Sequence, residues 1–358
     1  MDQALTNIRN LSLEELKLSF LEFGEKSFRA NQVWEWLWQK NAHSFEQMSN
    51  LSLSMRSWLN SRYYIDFITL QDQQISKDRT IKSAFLVDEG KVIEGVLIPT
   101  SSRMTACISS QVGCSLACKF CATGRLKLMR NLSVGEIVDQ VVYLNNEAFK
   151  NYQQHLSNIV YMGMGEPLLN YKNVLHSIDR ICSEDGLGIS PRRITVSTAG
   201  ISKMISKLGD DKVRFNLALS LHAANDQKRN EIMEINESNN LQSLSSALQH
   251  FHQKTGSRVT FEYIIFKNFN DELSDAKELA NFAKCVPCKI NIIEYNPIDD
   301  GIYQQADTKK VEAFAEYLAS MNLIVNVRRS RGKDIDAACG QLANKNKAIA
   351  ANDRALKF

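Results

Sequence analysis

The chain has 358 residues, 44% of them hydrophobic and 23% charged, with a net charge of +3 at neutral pH. This is the composition of a soluble globular protein; no apolar run approaches the length needed to cross a bilayer, and Met1-Asp2-Gln3-Ala4 lacks the basic and apolar regions of a signal peptide. A cytoplasmic protein without membrane contact is expected, in a compartment that keeps its 8 cysteines reduced and available as ligands or catalysts.

Residues 1–66 read as a small helical accessory domain. Ser12 and Glu15 have capping-box spacing around Leu13, Leu16 and Leu18. Phe28 to Lys40 places Val33, Trp34 and Leu37 at helical spacing, and a further short helix carries Met55 and Trp58. All four tryptophans, Trp34, Trp36, Trp38 and Trp58, fall in this region. A compact core is the preferred reading, over an aromatic surface that stacks RNA bases. Residues 67–100 read as a short β-rich connector, with Asp88-Glu89-Gly90-Lys91 as the turn between strands at 81–87 and 92–98.

From 101 to 343 strand and helix alternate. Strands are predicted at 105–109, 159–162, 194–197, 217–221, 259–265 and 290–295. The first intervening helix is capped by Ser133 and Glu136; others lie near 172–183, 200–208, 241–253, 273–284 and 307–320. Six such units predict an α/β fold built on a parallel barrel, complete or partial. Chemistry in such barrels sits at the C-terminal ends of the strands. Residues 344–358 form a polar, basic tail.

The most specific motif follows the first strand. Cys114, Cys118 and Cys121 are spaced C-x3-C-x2-C, with Phe120 before the last. A 4Fe–4S cluster held by three cysteines keeps one iron free for a substrate, which is the signature of radical S-adenosylmethionine (SAM) enzymes. A structural zinc site needs a fourth Cys or His close by, and none follows. Met162-Gly163-Met164-Gly165-Glu166-Pro167 comes after the second strand: Gly165 lets backbone approach a ligand, and Glu166 offers a carboxylate to the SAM amino group. Ser197, the run Ser220-Leu221-His222, and Asn296 end strands three, four and six, so they converge on one mouth. Singly, each reads as a satisfied polar residue near the core. Cys339 sits among small, flexible residues and Cys107 lies on the first strand; taken alone, both read as packed free cysteines. Cys285 and Cys288, a C-x2-C pair without a second pair, and Cys182 read as packing.

Taken together, the cluster motif, residues 162–167, 220–222 and the run Asp334 to Leu342 make the chain resemble the RlmN/Cfr family of radical SAM methyltransferases, from Phe28 through Leu342. The pairing of Cys339-Gly340-Gln341-Leu342 with the cluster motif makes the resemblance specific. It implies a partial (β/α)6 radical SAM barrel with a small N-terminal helical domain. It implies that Cys114, Cys118 and Cys121 bind one 4Fe–4S cluster, and that Gly165, Glu166, Ser197, Ser220, Leu221, His222 and Asn296 contact SAM. It further implies that Cys339 is the cysteine that becomes methylated, Cys107 the resolving cysteine, and Glu94 a proton acceptor. The implied partners are 23S rRNA, for some members tRNA, and a low-potential electron donor such as flavodoxin; a monomer is implied as well. Lys127 stands where many members have glycine, and Glu234 where proline is common.

The implied reaction is methylation of C2 of an adenosine at the peptidyl transferase centre of 23S rRNA, and in some members of an adenosine beside the tRNA anticodon. C2 of adenine has no lone pair to attack a methyl group, so a radical route is needed. The resemblance implies two SAM molecules per turnover. Cys339 takes a methyl from the first, and the second yields the radical that activates that methyl. Cys107 then attacks the Cys339 sulfur, releasing product and leaving a disulfide. The base must be splayed out of any stack. Arg328, Arg329, Arg331 and Lys333 are candidate RNA contacts or, equally, a solvated basic strand end. Three rivals stand beside this reading. One is C8 methylation of the same adenosine, disfavoured by Pro167. Another is a radical SAM enzyme acting on a protein or small molecule, disfavoured by the Cys107 and Cys339 pair. The third is a zinc-dependent RNA-binding module without catalysis, disfavoured by the missing fourth ligand.

Overall fold

The computed structural model describes residues 5–87, 90–299 and 301–344. The turn residues Asp88 and Glu89 and the basic tail from 345 onward lie outside them. The N-terminal region comprises β1 (Thr6–Asn7), α1 (Leu13–Glu22), α2 (Phe28–Trp38), α3 (Leu53–Arg62) and β2 (Tyr63–Tyr64). Ser12 and Glu15 close the expected capping box: Glu15 N–H donates to Ser12 Oγ at 3.2 Å and Ser12 N–H to Glu15 Oε2 at 2.7 Å. Trp34, Trp38 and Trp58 are buried, and Phe20 meets Trp58 edge-on with ring centroids 5.0 Å apart. Trp36 is only partly buried and carries Lys40 over its ring at 4.3 Å. The tryptophans are thus mainly core. The parallel pairing of β1 with β2 has no counterpart in the sequence reading, because two residues carry no periodicity to read.

The remaining strands are β3 (Thr69–Ile75), β4 (Ile81–Leu86), β5 (Val92–Pro99), β6 (Met104–Cys107), β7 (Gln111–Val112), β8 (Arg130–Asn131), β9 (Asn158–Tyr161), β10 (Ile194–Thr198), β11 (Asn216–Ser220), β12 (Val259–Ile265), β13 (Cys288–Glu294) and β14 (Val325–Arg328). The helices between them are α4 (Val134–Tyr152), α5 (Tyr171–Cys182), α6 (Ser202–Asp210), α7 (Asp226–Ile232), α8 (Leu241–Thr255), α9 (Leu273–Phe282) and α10 (Thr308–Ser320). One ten-stranded sheet runs in the order β14-β13-β12-β11-β10-β9-β6-β5-β4-β3. From β6 to β14 every pairing is parallel; from β3 to β6 every pairing is antiparallel. The antiparallel segment therefore continues the parallel sheet across β6. The sheet does not close on itself, so this is the partial barrel expected. The loop after β14 spans part of the gap: Ser76 Oγ donates to Asp334 Oδ1 at 2.5 Å and Gly332 N–H to Asp78 Oδ2 at 2.9 Å.

Six strand–helix units appear as expected, followed by a seventh parallel strand, β14, that the sequence reading did not place. Val325 to Arg328 are mostly exposed, so this edge strand lacks the apolar run that marks its neighbours. By contrast, every residue of β12 is buried, as a strand covered on both faces requires.

A buried ion pair ties the N-terminal region to the barrel. Arg9 donates from Nη1 to Asp139 Oδ2 at 2.9 Å and from Nη2 to Asp139 Oδ1 at 2.7 Å. The two side chains are 1% and 3% exposed. Asp139 lies on α4 and also accepts from Ile68 N–H at 3.3 Å; Arg9 stacks 4.8 Å over Trp38. Gly135 makes room for this junction, since a Cβ there would stand 2.6 Å from Asp66 Oδ1. Removing one partner strands a charge in the core. Asp139→Ala is expected to lower the free energy of unfolding by about 3–5 kcal/mol, read from urea denaturation; an unchanged midpoint would refute the importance of this junction.

Candidate active site

The loop after β6 carries the three motif cysteines, and its shape is forced by close backbone packing. Gly113 has φ +78°, and a Cβ there would stand 2.1 Å from the Lys127 carbonyl oxygen. Cys121 N–H donates to Cys118 O at 3.1 Å and Gly124 N–H to Cys121 O at 3.1 Å, which folds the loop back over itself. Ala117 takes a left-handed conformation at φ 48° between the first two cysteines. Cys114, Cys118 and Cys121 all line one cavity of about 240 Å³. Lys127 and Glu234, the two departures from the family pattern, are exposed and outside its wall.

Burial pushes all three thiols up, Cys114 to about 11, and Cys114 and Cys118 are raised further by Cys121. Burial thus works against the thiolate form, and a positively charged metal centre is what would favour it. Among the described residues no three His, Cys, Asp or Glu side chains converge tightly enough to grip a single metal ion. Three thiols on one cavity wall suit a 4Fe–4S cluster that keeps one iron open for a substrate.

The strand ends deliver the remaining polar groups. Glu166 is 3% exposed. Its Oε1 accepts from Leu168 N–H at 3.0 Å and its Oε2 from Ala199 N–H at 2.8 Å. Burial without a cationic partner raises its carboxyl to about 6. Gly165, at φ +95°, lies so close to Gln111 that a Cβ would meet the Gln111 Cβ at 2.4 Å. Ser197 and Ser220, from β10 and β11, approach to 3.3 Å between hydroxyls. His222 is buried at φ 56°, and its Nδ1 accepts from Ile264 N–H at 3.1 Å. Burial, aided by Arg229, drives the imidazole down to about 3. His222 is thus neutral with its proton on Nε2, and its edge meets Phe120 with ring centroids 4.8 Å apart.

Gly165, Glu166, Ser197, Ser220 and His222 share the cavity wall with the three cysteines, whereas Leu221 and Asn296 do not. Leu221 is fully buried behind the wall. Asn296 donates from Nδ2 to Cys339 O at 3.3 Å, and its buried Oδ1 has no partner among the described residues.

Cys107 and Cys339 line the same cavity. Cys107 is half-buried and Cys339 exposed, and desolvation by the surrounding protein raises Cys107 to about 12 and Cys339 to about 11. Arg328 lowers both. It leaves β14 to pair with Glu262 of β12, Nη1 to Oε2, at 3.2 Å, and Asn291 Nδ2 holds the other oxygen of Glu262 at 2.8 Å. The sequence reading left Arg328 as an RNA contact or a solvated strand end and did not single out Glu262. The available signal was a lone carboxylate within the apolar run of β12. Lys333 pairs with Glu294 at 3.3 Å, while Arg329 and Arg331 line the cavity.

Glu94 is 1% exposed and lies outside the cavity wall. Its Oε2 accepts from Ala343 and Asn344 N–H at 2.9 and 3.2 Å, and Lys82 Nζ lies 3.6 Å from its Oε1. It braces the chain just beyond the Cys339 loop. That loop is pinned to the cluster loop: Ala122 N–H donates to Gly340 O at 2.7 Å and Thr123 Oγ1 to Leu342 O at 2.6 Å. Cys182, Cys285 and Cys288 lie away from the cavity, in agreement with packing roles.

Residues 6–65 match the family model described as the ribosomal RNA large subunit methyltransferase N-terminal domain, and residues 108–283 match that of the radical SAM superfamily. The probable dual-specificity RNA methyltransferase RlmN of Cytophaga hutchinsonii is 60% identical over 338 residues, covering 94% of this chain and 93% of that protein. The dual-specificity RNA methyltransferase RlmN of Nitratidesulfovibrio vulgaris is 42% identical over 346 residues, covering 94% and 95%. The crystal structure of a radical SAM methyltransferase from Sphaerobacter thermophilus superposes with a TM-score of 0.88 at 36% identity, covering 94% of this chain and 99% of that one. With an N-terminal and a central segment matched by these models and relatives covering 94% of the chain at these identities, the chain belongs to the RlmN family of the radical SAM superfamily.

Proposed function

We propose that the protein is a radical SAM RNA methyltransferase that methylates C2 of an adenosine in 23S rRNA, and of an adenosine beside the tRNA anticodon, through a methylated Cys339 and a transient Cys107–Cys339 disulfide. The observation that carries this reading is the meeting of Cys107 and Cys339, far apart in sequence, in the cavity lined by Cys114, Cys118 and Cys121. The 4Fe–4S cluster and SAM, when bound, supply the methyl group and the carbon-centred radical that adenine C2 requires.

The chain's own residues divide the remaining work. Cys114, Cys118 and Cys121 hold the cluster. Glu166, a buried carboxylate without a cation, receives the ammonium group of SAM. Ser197, Ser220 and the neutral His222 supply hydroxyl and N–H donors to the same ligand, and the unpartnered Oδ1 of Asn296 supplies an acceptor. Cys339 must lose its proton to accept a methyl group, and the Arg328 charge favours its thiolate. Cys107 then attacks the Cys339 sulfur: the S–S bond forms, the C–S bond to product breaks, and its electron pair stays with the product carbon, which takes a proton. For Glu94 to accept a proton from the bound base, it must first release Ala343 and Asn344. An electron donor of low potential, such as flavodoxin, completes the cycle. A base must be splayed out of its stack to reach the cavity, and Arg329 and Arg331 on its wall suit a phosphate backbone.

Alkylation of Cys339 in the cluster-free protein is expected to quicken about tenfold per pH unit from neutrality toward the thiol's value of about 11. Arg328→Gln should slow it at any given pH, because the variant loses a charge that favours the thiolate. Peptide mass spectrometry after timed iodoacetamide treatment checks both, and a flat pH profile would overturn the assignment of a raised, Arg328-opposed thiol. Cys107→Ala should accumulate a covalent protein–RNA adduct on denaturing gels; free methylated RNA in normal yield would remove Cys107 from the resolving role. Deleting the gene should abolish 2-methyladenosine in 23S rRNA by nucleoside mass spectrometry. Loss of 8-methyladenosine instead would make the enzyme a C8 methyltransferase, and no change in either would leave the substrate assignment wrong.

A further inference from the structure

Arg229, on α7, is fully buried, yet its guanidinium is bound only by neutral acceptors. Nε donates to Leu221 O at 3.1 Å, Nη1 to Asn236 Oδ1 at 2.6 Å, and Nη2 to Ala199 O at 2.6 Å and Ser220 O at 3.4 Å. Among the described residues no carboxylate forms an ion pair with it. The nearby Asp226 is exposed and is linked only through Asn236, whose Nδ2 donates to Asp226 Oδ1 at 2.9 Å. A guanidinium stays charged at neutral pH, and a buried charge without a counter-charge is a costly arrangement.

The negative charge it lacks belongs on the opposite side. Cys118 and Cys121 pack against the buried cluster that contains Ala199, Ala223, Ile232 and Met233, of which Ala199 is bound by the guanidinium itself. Lys119 N–H donates to Ile232 O at 3.1 Å, which packs the cluster loop onto the end of α7. The peptide of Ala199 sets the arrangement: its N–H donates to Glu166 and its C=O accepts from Arg229. Two buried charges of opposite sign thus flank one peptide, each without an ionic partner among the described residues. Glu166 lines the cavity with the three cysteines, and Arg229 lies behind its wall.

We infer that Arg229 is the built-in counter-charge of the loaded cluster, raising its reduction potential, and that it is also the positioning residue for the strand ends 199 and 220–221 that border the SAM site. This rests on the reading that Cys114, Cys118 and Cys121 hold the cluster. Three thiolates make the loaded site net negative, reduction adds another negative charge, and the net charge around a cluster is one of the levers on its potential. A purely structural arginine would hold the same carbonyls without affecting the potential.

The test uses reconstituted full-length protein in an EPR-monitored redox titration, beside thermal melts of cluster-free and cluster-loaded forms. Arg229→Gln should shift the midpoint to more negative potential and reduce the gain in melting temperature on loading, while Arg229→Lys, which keeps the charge, should hold the midpoint near wild type. Asn236→Asp keeps the shape and places a carboxylate on the guanidinium. It should raise the melting temperature of the cluster-free protein and shift the midpoint to more negative potential, and it serves should Arg229→Gln fail to fold. Midpoints and loading gains equal to wild type in Arg229→Gln and Asn236→Asp would overturn the role of Arg229 alone. Wild-type protein that binds no iron and gives no cluster signal would overturn the cluster reading and this inference together.

Discussion

A strand covered on both faces can carry polar chemistry only at its ends, and this constraint organises the molecule. The parallel strands from β6 to β13 have their interiors filled with Ile, Leu, Val and aromatic side chains. Because they run the same way, their C-terminal ends open on one side of the sheet. Cys107, Ser197, Ser220 and His222 come from three different strands, β6, β10 and β11, or the residues just past them, yet they line one cavity. The antiparallel strands β3 to β5 extend the sheet beside β6 and bring Glu94 and Lys82 to the far side of the same region. The site is thus a consequence of strand direction first and of loop shape second.

The charges that break the apolar pattern are the informative ones. Glu262 sits within the otherwise apolar β12 and is satisfied by Arg328 and Asn291. The pairing carries a guanidinium from the edge strand into reach of both reactive thiols. Arg9 and Asp139 satisfy each other, and their role is to fasten two regions of the chain. Glu166 and Arg229 differ from these, since their protein partners are neutral. Paired buried charges in this fold are structural or orienting, and unpaired ones mark where a charged ligand belongs.

Much of this was legible in the sequence, for identifiable reasons. The alternation of apolar strands and amphipathic helices exposed the partial barrel, and Ser12 with Glu15 and Ser133 with Glu136 marked helix starts that the structure caps as expected. The cysteine spacing marked the cluster loop because few chemistries need three thiols so close together. The short β1–β2 pair and the exposed edge strand β14 were not legible, since neither has a face to repeat. Arg229 was invisible for a different reason. An arginine in a polar helical stretch reads as a solvated face, and only the fold shows that Leu221, Ala199 and Asn236 enclose it. The resemblance implied Glu94 as a proton acceptor; that its carboxylate also takes the amides of Ala343 and Asn344, beyond Cys339, had no signal in the sequence.

Those bonds bear on how a reactive cysteine near a chain terminus can be placed at all. The segment around Cys339 belongs to no strand or α-helix, so the sheet cannot fix it. It is held by contacts to parts that are themselves fixed. Gly340 and Leu342 are tied to the cluster loop at Ala122 and Thr123, Gln341 Nε2 donates to Pro297 O at 3.0 Å after β13, and Glu94 takes the amides of Ala343 and Asn344. Two of these anchors are on the loop that carries Cys114, Cys118 and Cys121. Anything that orders that loop therefore also orders Cys339, and disorder in it would loosen the Cys339 thiol. Placing the three motif cysteines and placing Cys339 are in this way one folding problem, solved by the same short stretch of backbone.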